Sequence, residues 1–84
     1  MTLQAQFEAA QAASKTLAER PDNMTMLEIY ALYKQSTAGD TTGERPGFTE
    51  MVARAKFDAW TSAKGLSKDE AMQKYVDLIA DLQD

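Results

Sequence analysis

Residues 29–47, IYALYKQSTAGDTTGERPG, decide how this chain is organised. The first half has the i, i+3, i+4 spacing of a helical face and puts Tyr30, Tyr33 and Lys34 within one turn of each other. Gly39 ends that run, because glycine takes the left-handed conformation that closes helices. Residues 40–48 carry turn signals at Gly43 and Pro46-Gly47 and read as a loop. Antiparallel neighbours in a bundle need only a short link. A link of about nine residues can cross the end of a bundle, so the helices on either side are expected to run in similar directions.

Three further periodic segments flank this one. Leu3, Phe7, Ala10 and Leu17 fall at helical spacing behind Thr2, a capping residue. Pro21 breaks that helix, and Asp22 or Asn23 caps the second, which runs to about Ala38. The third extends roughly from Thr49 to Lys64, with Met51, Val52, Ala55, Ala59 and Ala63 on one side and Phe57 and Trp60 on another; Gly65 closes it. The fourth opens on Ser67-Lys68-Asp69-Glu70, a capping-box pattern, and carries Met72, Tyr75, Val76, Ile79 and Leu82 as its apolar stripe. No strand-like alternation competes. The expectation is an all-α four-helix bundle forming a single domain over residues 1–84.

Composition narrows the function. With 84 residues and no cysteine, stability must come from packed helical faces rather than from disulfides or thiolate metal sites. The N-terminus lacks the basic start and apolar run of a signal peptide, and no segment approaches the roughly 20 apolar residues of a membrane span. A soluble cytoplasmic protein, without stable membrane insertion, is expected. The net charge of −4 argues against nonspecific nucleic-acid binding but leaves room for a phosphorylated small ligand at a local lysine cluster.

Histidine is absent as well as cysteine, which removes the usual general base near neutral pH and the best nucleophile. Paired carboxylates can do hydrolytic work, but Asp77, Asp81 and Asp84 fall at the spacing of a solvated helix face. Asp40, Thr42 and Glu44 resemble part of a calcium loop, yet Arg45 stands where its glycine is required. Neither a Walker A loop nor a dinucleotide fingerprint occurs. No enzymatic activity, metal or cofactor is expected.

What remains is the stripe Met26, Leu27, Tyr30, Tyr33 and Lys34 on the second helix. It reads in two ways. One is ordinary core packing with a snorkelling lysine at its margin. The other is a groove graded from apolar to phosphate-binding, in which tyrosine rings stack and their hydroxyls donate hydrogen bonds. Periodicity does not bring Lys15, Lys56 or Tyr75 to that place; by spacing alone they are two surface lysines and a member of the fourth apolar stripe.

The order of residues goes further than their periodicity. MLEIYALYKQSTAGD (26–40), ERPGF (44–48), ARAKFDAW (53–60), AKGLSKDEAMQKYVDLI (63–79) and the ERPDN link (19–23) together resemble the acyl-CoA-binding protein family, from Phe7 to about Leu82. The resemblance implies a bundle of up-down-down-up topology that binds medium- and long-chain fatty acyl-CoA esters without doing chemistry on them, as a monomer. It implies that Tyr30, Tyr33 and Lys34 line the coenzyme A site, a tyrosine stacking near adenine. Lys34 and Lys56 would meet the 3′-phosphate region, Lys15 would add positive charge beside the nucleotide, and Tyr75 would close the site from helix four. Met26 and Leu27 would face the acyl chain.

There are departures. Val52 stands where many members have lysine, so one phosphate contact is expected to be missing, with Arg54 as a partial substitute. Phe57 stands where a second tryptophan is common, and the usual basic tail is lacking. The rival expectation is a helical interaction module that holds a partner peptide on the same aromatic surface.

Overall fold

The computed structural model describes residues 1–83; Asp84, assigned above to the acidic surface, lies outside the described residues. The chain forms four helices, α1 (Leu3–Ser14), α2 (Asn23–Thr37), α3 (Met51–Ser62) and α4 (Lys68–Gln83), and no strand among the described residues.

Three helix starts follow the side chains that the sequence offers. The Thr2 hydroxyl accepts from the Ala5 N–H at 3.1 Å, and the Asp22 carboxylate accepts from Thr25 N–H at 2.8 Å. At α4 the capping box closes in both directions, with Glu70 N–H donating to Ser67 Oγ and Ser67 N–H to Glu70 Oε1, each at 3.0 Å. Gly39, at φ 85°, follows the last turn of α2 in the left-handed conformation.

Two boundaries differ from expectation. Helix α1 stops at Ser14, so half-buried Leu17 lies beyond it. Lys15 and Thr16 donate to the carbonyls of Ala12 and Ala13, three residues back, and this tightened turn unwinds ahead of Pro21. Helix α3 begins at Met51 instead of Thr49, because the Gly47–Glu50 turn comes first and Glu50 provides no side-chain cap.

Helix α2 packs on both α3 and α4, and α1 packs on α4. Lys34 lies over Trp60 and Tyr30 lies under Lys56, the same sequence offset in both pairs, so α2 and α3 run in the same direction. Gln35, near the end of α2, bonds the Leu66 carbonyl just before α4, so α4 runs back against α2. The up-down-down-up order and the long crossover between α2 and α3 are therefore as expected.

The core holds Phe7, Ala10, Leu32, Tyr75 and Ile79, drawn from α1, α2 and α4. Helix α3 contributes no fully buried residue. The apolar side predicted for it is only partly used: Met51 and Val52 remain exposed, since α3 packs against α2 alone.

Candidate ligand groove between helices two and three

Parallel packing of α2 and α3 leaves a groove of about 610 Å³ between their first halves. Leu27 and Ala55 form its floor, and Met26, Met51 and Val52 stand along its edges. Tyr30 and Lys56 lie at one end, Arg20 and Asn23 at the other. The Lys56 ammonium sits 5.4 Å from the centre of the Tyr30 ring. One turn further along, Lys34 Nζ lies 4.8 Å from the centre of the Trp60 ring. Both distances are within cation–π range, so two ammonium groups and two aromatic faces form one patch at the end of an apolar trough. Lys34 lies in the last turn of α2, where the helix dipole favours a cation.

Trp60 is fixed from behind as well. Its indole N–H donates to the Gly39 carbonyl at 2.8 Å. Beside it, Gln35 is fully buried, and its amide donates to both Asp40 Oδ1 and the Leu66 carbonyl at 2.8 Å. The same Asp40 oxygen accepts from Gly65 N–H at 3.0 Å. The Gly65 N–H first, and the Gln35 amide second, hold the Asp40 carboxyl below its usual range. The α2–α3 and α3–α4 connections are thus tied to one glutamine next to Lys34.

The stripe predicted on α2 divides between two neighbours. Tyr30 and Lys34 turn toward α3. Tyr33, 39% exposed, lies against Phe7 of α1, with ring centroids 6.3 Å apart and planes at 26°. Phe7 in turn meets Tyr75 edge-on at 5.0 Å. Tyr75 is buried to 3% exposure, so most of its ring belongs to the core, underneath the surface that Tyr33 presents. Lys15 is the exposed C-cap of α1, and among the described residues no hydrogen bond or ring contact links it to the others. The Arg54 guanidinium lies 4.4 Å from the Phe48 ring, outside the lining of the groove.

The long crossover is held against α3 by Arg45, which grips Asp58 through Nε at 2.8 Å and a second nitrogen at 2.6 Å. The hydrogen bonds from Arg45 keep the Asp58 carboxyl below its ordinary range. Sequence reasoning missed Trp60 and Gln35 as supports of Lys34, and Arg20, Met51 and Val52 as groove lining. Trp60 bonds Gly39, 21 residues away, and Gln35 bonds Leu66, 31 residues away, so no local pattern marks either.

Comparison with known proteins agrees with this architecture. The model of the family described as "Acyl CoA binding protein" matches residues 4–79. Acyl-CoA-binding protein homolog 1 of Caenorhabditis elegans is 45% identical over 76 residues, covering 90% of this chain and 88% of the relative. The crystal structure of Oryza sativa acyl-CoA-binding protein 2 superposes with a TM-score of 0.92 at 41% identity, over 96% of this chain and 90% of the other. That of the corresponding protein from Moniliophthora perniciosa gives 0.88 at 35% identity, over 98% and 80% of the two chains.

Proposed function

The chain belongs to the acyl-CoA-binding protein family, and from that premise we propose that it binds medium- and long-chain fatty acyl-CoA esters reversibly and carries them, without catalysing a reaction. The observation that supports this reading best is the grading of the α2–α3 groove from apolar Met26, Leu27 and Ala55 to the cationic and aromatic patch of Tyr30, Lys56, Lys34 and Trp60. An acyl-CoA has the same grading. Its phosphates carry roughly −4 in total if the monoester is near −2, and its tail is hydrocarbon.

In this reading Lys34 and Lys56 meet the 3′-phosphate region, Tyr30 and Tyr33 offer ring faces to the nucleotide, and Lys15 adds positive charge at the edge. Tyr75 acts from below, by holding Phe7 against Tyr33. Lysine suits the phosphates because its ammonium is a compact charge on a flexible stem. Met26 and Leu27 contact the acyl chain. Each methylene taken out of water contributes about 0.8 kcal/mol, so roughly ten contribute about 8 kcal/mol before ordering costs. Head and tail then act together, and neither fragment binds well alone.

A binder of this kind works as a monomer in the cytoplasm, keeping the thioester in a protein groove and out of water and membranes. Among the described residues no helix is long and apolar enough to cross a bilayer. Calorimetric titration with palmitoyl-CoA, octanoyl-CoA, free coenzyme A and free palmitate tests the proposal. One-to-one binding of the long ester, much tighter than either fragment, is expected; no binding of any of the four overturns it. Loss of thioester during incubation would refute the non-catalytic part.

A further inference from the structure

The chain holds five methionines and no cysteine, so thioethers are the only sulfur it offers to an oxidant. Their surroundings differ. Met72 packs against the core. Met1 and Met24 are exposed but stand away from the groove, Met1 beside α1 and α4 and Met24 on the reverse side of the α2–α3 pair. Met26 and Met51 line the groove, one from each helix, and are 40% and 76% exposed. A thioether is polarisable and packs well on hydrocarbon. Its sulfoxide is polar and holds water. Covering that S–O group strips the water, and Leu27, Val52 and Ala55 of the groove have no side-chain donor to replace it.

Resting on the acyl-CoA reading above, we infer that Met51 and Met26 are modification sites through which peroxide releases the ligand reversibly. The thioether sulfur attacks one oxygen of hydrogen peroxide, an S–O bond forms and the O–O bond breaks. The hydroxide that leaves takes the proton from the new S–OH and becomes water. Sulfur is oxidised by two electrons and the peroxide is reduced. Met51 is the more exposed of the two and reacts first. A bound ester covers both side chains and slows the reaction, so the empty protein is the form that peroxide switches off. Methionine sulfoxide reductases, one for each epimer, restore the thioethers and with them the affinity.

The test treats the protein with hydrogen peroxide, free and saturated with palmitoyl-CoA, and assigns each added oxygen by tandem mass spectrometry. Palmitoyl-CoA is expected to slow oxidation of Met26 and Met51 and to leave Met24 reacting at its free rate. The treated wild-type protein should bind palmitoyl-CoA about tenfold more weakly by calorimetry, and the two reductases should reverse the loss. Met24→Leu should respond to peroxide as the wild type does. The Met26→Leu, Met51→Leu double variant, whatever its starting affinity, should lose none on treatment; the exchange conserves volume. Should it fail to fold, Met51→Gln, a polar side chain of similar length, must weaken binding without peroxide. Unchanged affinity after oxidation, a loss that persists in the double variant, or oxidation of Met51 at the same rate with and without ligand overturns the inference and leaves acyl-CoA binding standing. Failure of the untreated wild-type protein to bind the ester overturns both.

Discussion

The indole N–H of Trp60 donates to the carbonyl of Gly39 at 2.8 Å, joining the last turn of one helix to the residue that terminates its parallel neighbour. The opposite use of the same side chain is its ring face, which lies beneath the Lys34 ammonium. One residue therefore fixes both the end of α2 and the position of a cation at the groove. Trp60→Phe keeps a ring under Lys34 and removes the hydrogen bond, so a loss of about 1 kcal/mol in unfolding free energy is expected. Trp60→Ala should cost more and also weaken ligand binding. Chemical denaturation beside calorimetry separates the two effects; equal behaviour of the two variants in both assays would show that the ring face is idle.

Lys34→Ala and Tyr30→Ala should weaken acyl-CoA binding by about tenfold or more, since a charged or stacked contact is lost, while moving the denaturation midpoint little. Neither side chain belongs to the buried core. The effect of Lys34→Ala should shrink as salt screens the phosphates. Variants that unfold yet retain affinity would return the stripe to ordinary core packing.

Phe7 is 1% exposed and touches both Tyr33 and Tyr75. Truncating a buried aromatic costs about 3–5 kcal/mol, so Phe7→Ala should unfold at a much lower denaturant concentration. A conservative Phe7→Leu should keep the fold but loosen Tyr33, visible as weaker nucleotide binding with near-native helix content by circular dichroism. Unchanged binding in a folded Phe7→Leu protein would separate Tyr33 from the site.

Asp40 carries a pH signature. Its folded-state pKa lies below the unfolded value, through the Gly65 N–H and then the Gln35 amide. The stabilisation from its charged form is therefore present above the unfolded value, near pH 4. It is lost as pH falls from there through the folded-state value. Asp40→Asn should lower stability at pH 7, with the gap to wild type closing on acidification. Urea midpoints at pH 7 and at pH 3 check this; a gap that stays constant would assign the effect to shape rather than charge.

The helix starts were legible in the sequence because their partners are local. Thr2, Asp22, Ser67 and Glu70 each bond within three residues, and Gly39 needs only its own φ. The sense of the α2–α3 pair was also legible, since crossover length constrains direction. Gln35 was not, because nothing in a helical pattern distinguishes a solvated glutamine from one that reaches Leu66, 31 residues away. Likewise Tyr30 and Tyr33 share a stripe by spacing, and only the positions of α1 and α3 on either side of α2 decide that one ring meets Lys56 and the other Phe7. Tyr75 was placed on the apolar stripe of the fourth helix, and it is deeply buried there.

Because Phe7 and Ala10 of the first helix pack with Tyr75 and Ile79 of the last, the apolar interior closes only when both ends of the sequence are present. During synthesis, a nascent chain that has emerged through α3 holds three amphipathic helices with no fourth to shelter them. Long-range closure of this kind slows folding and leaves apolar surface open while it lasts. Stalled chains long enough to bring Gly65 just outside the ribosome should accordingly be protease-sensitive, and those with α4 clear of the ribosome resistant. Protection already at Gly65 would mean that the first three helices form a shelter of their own.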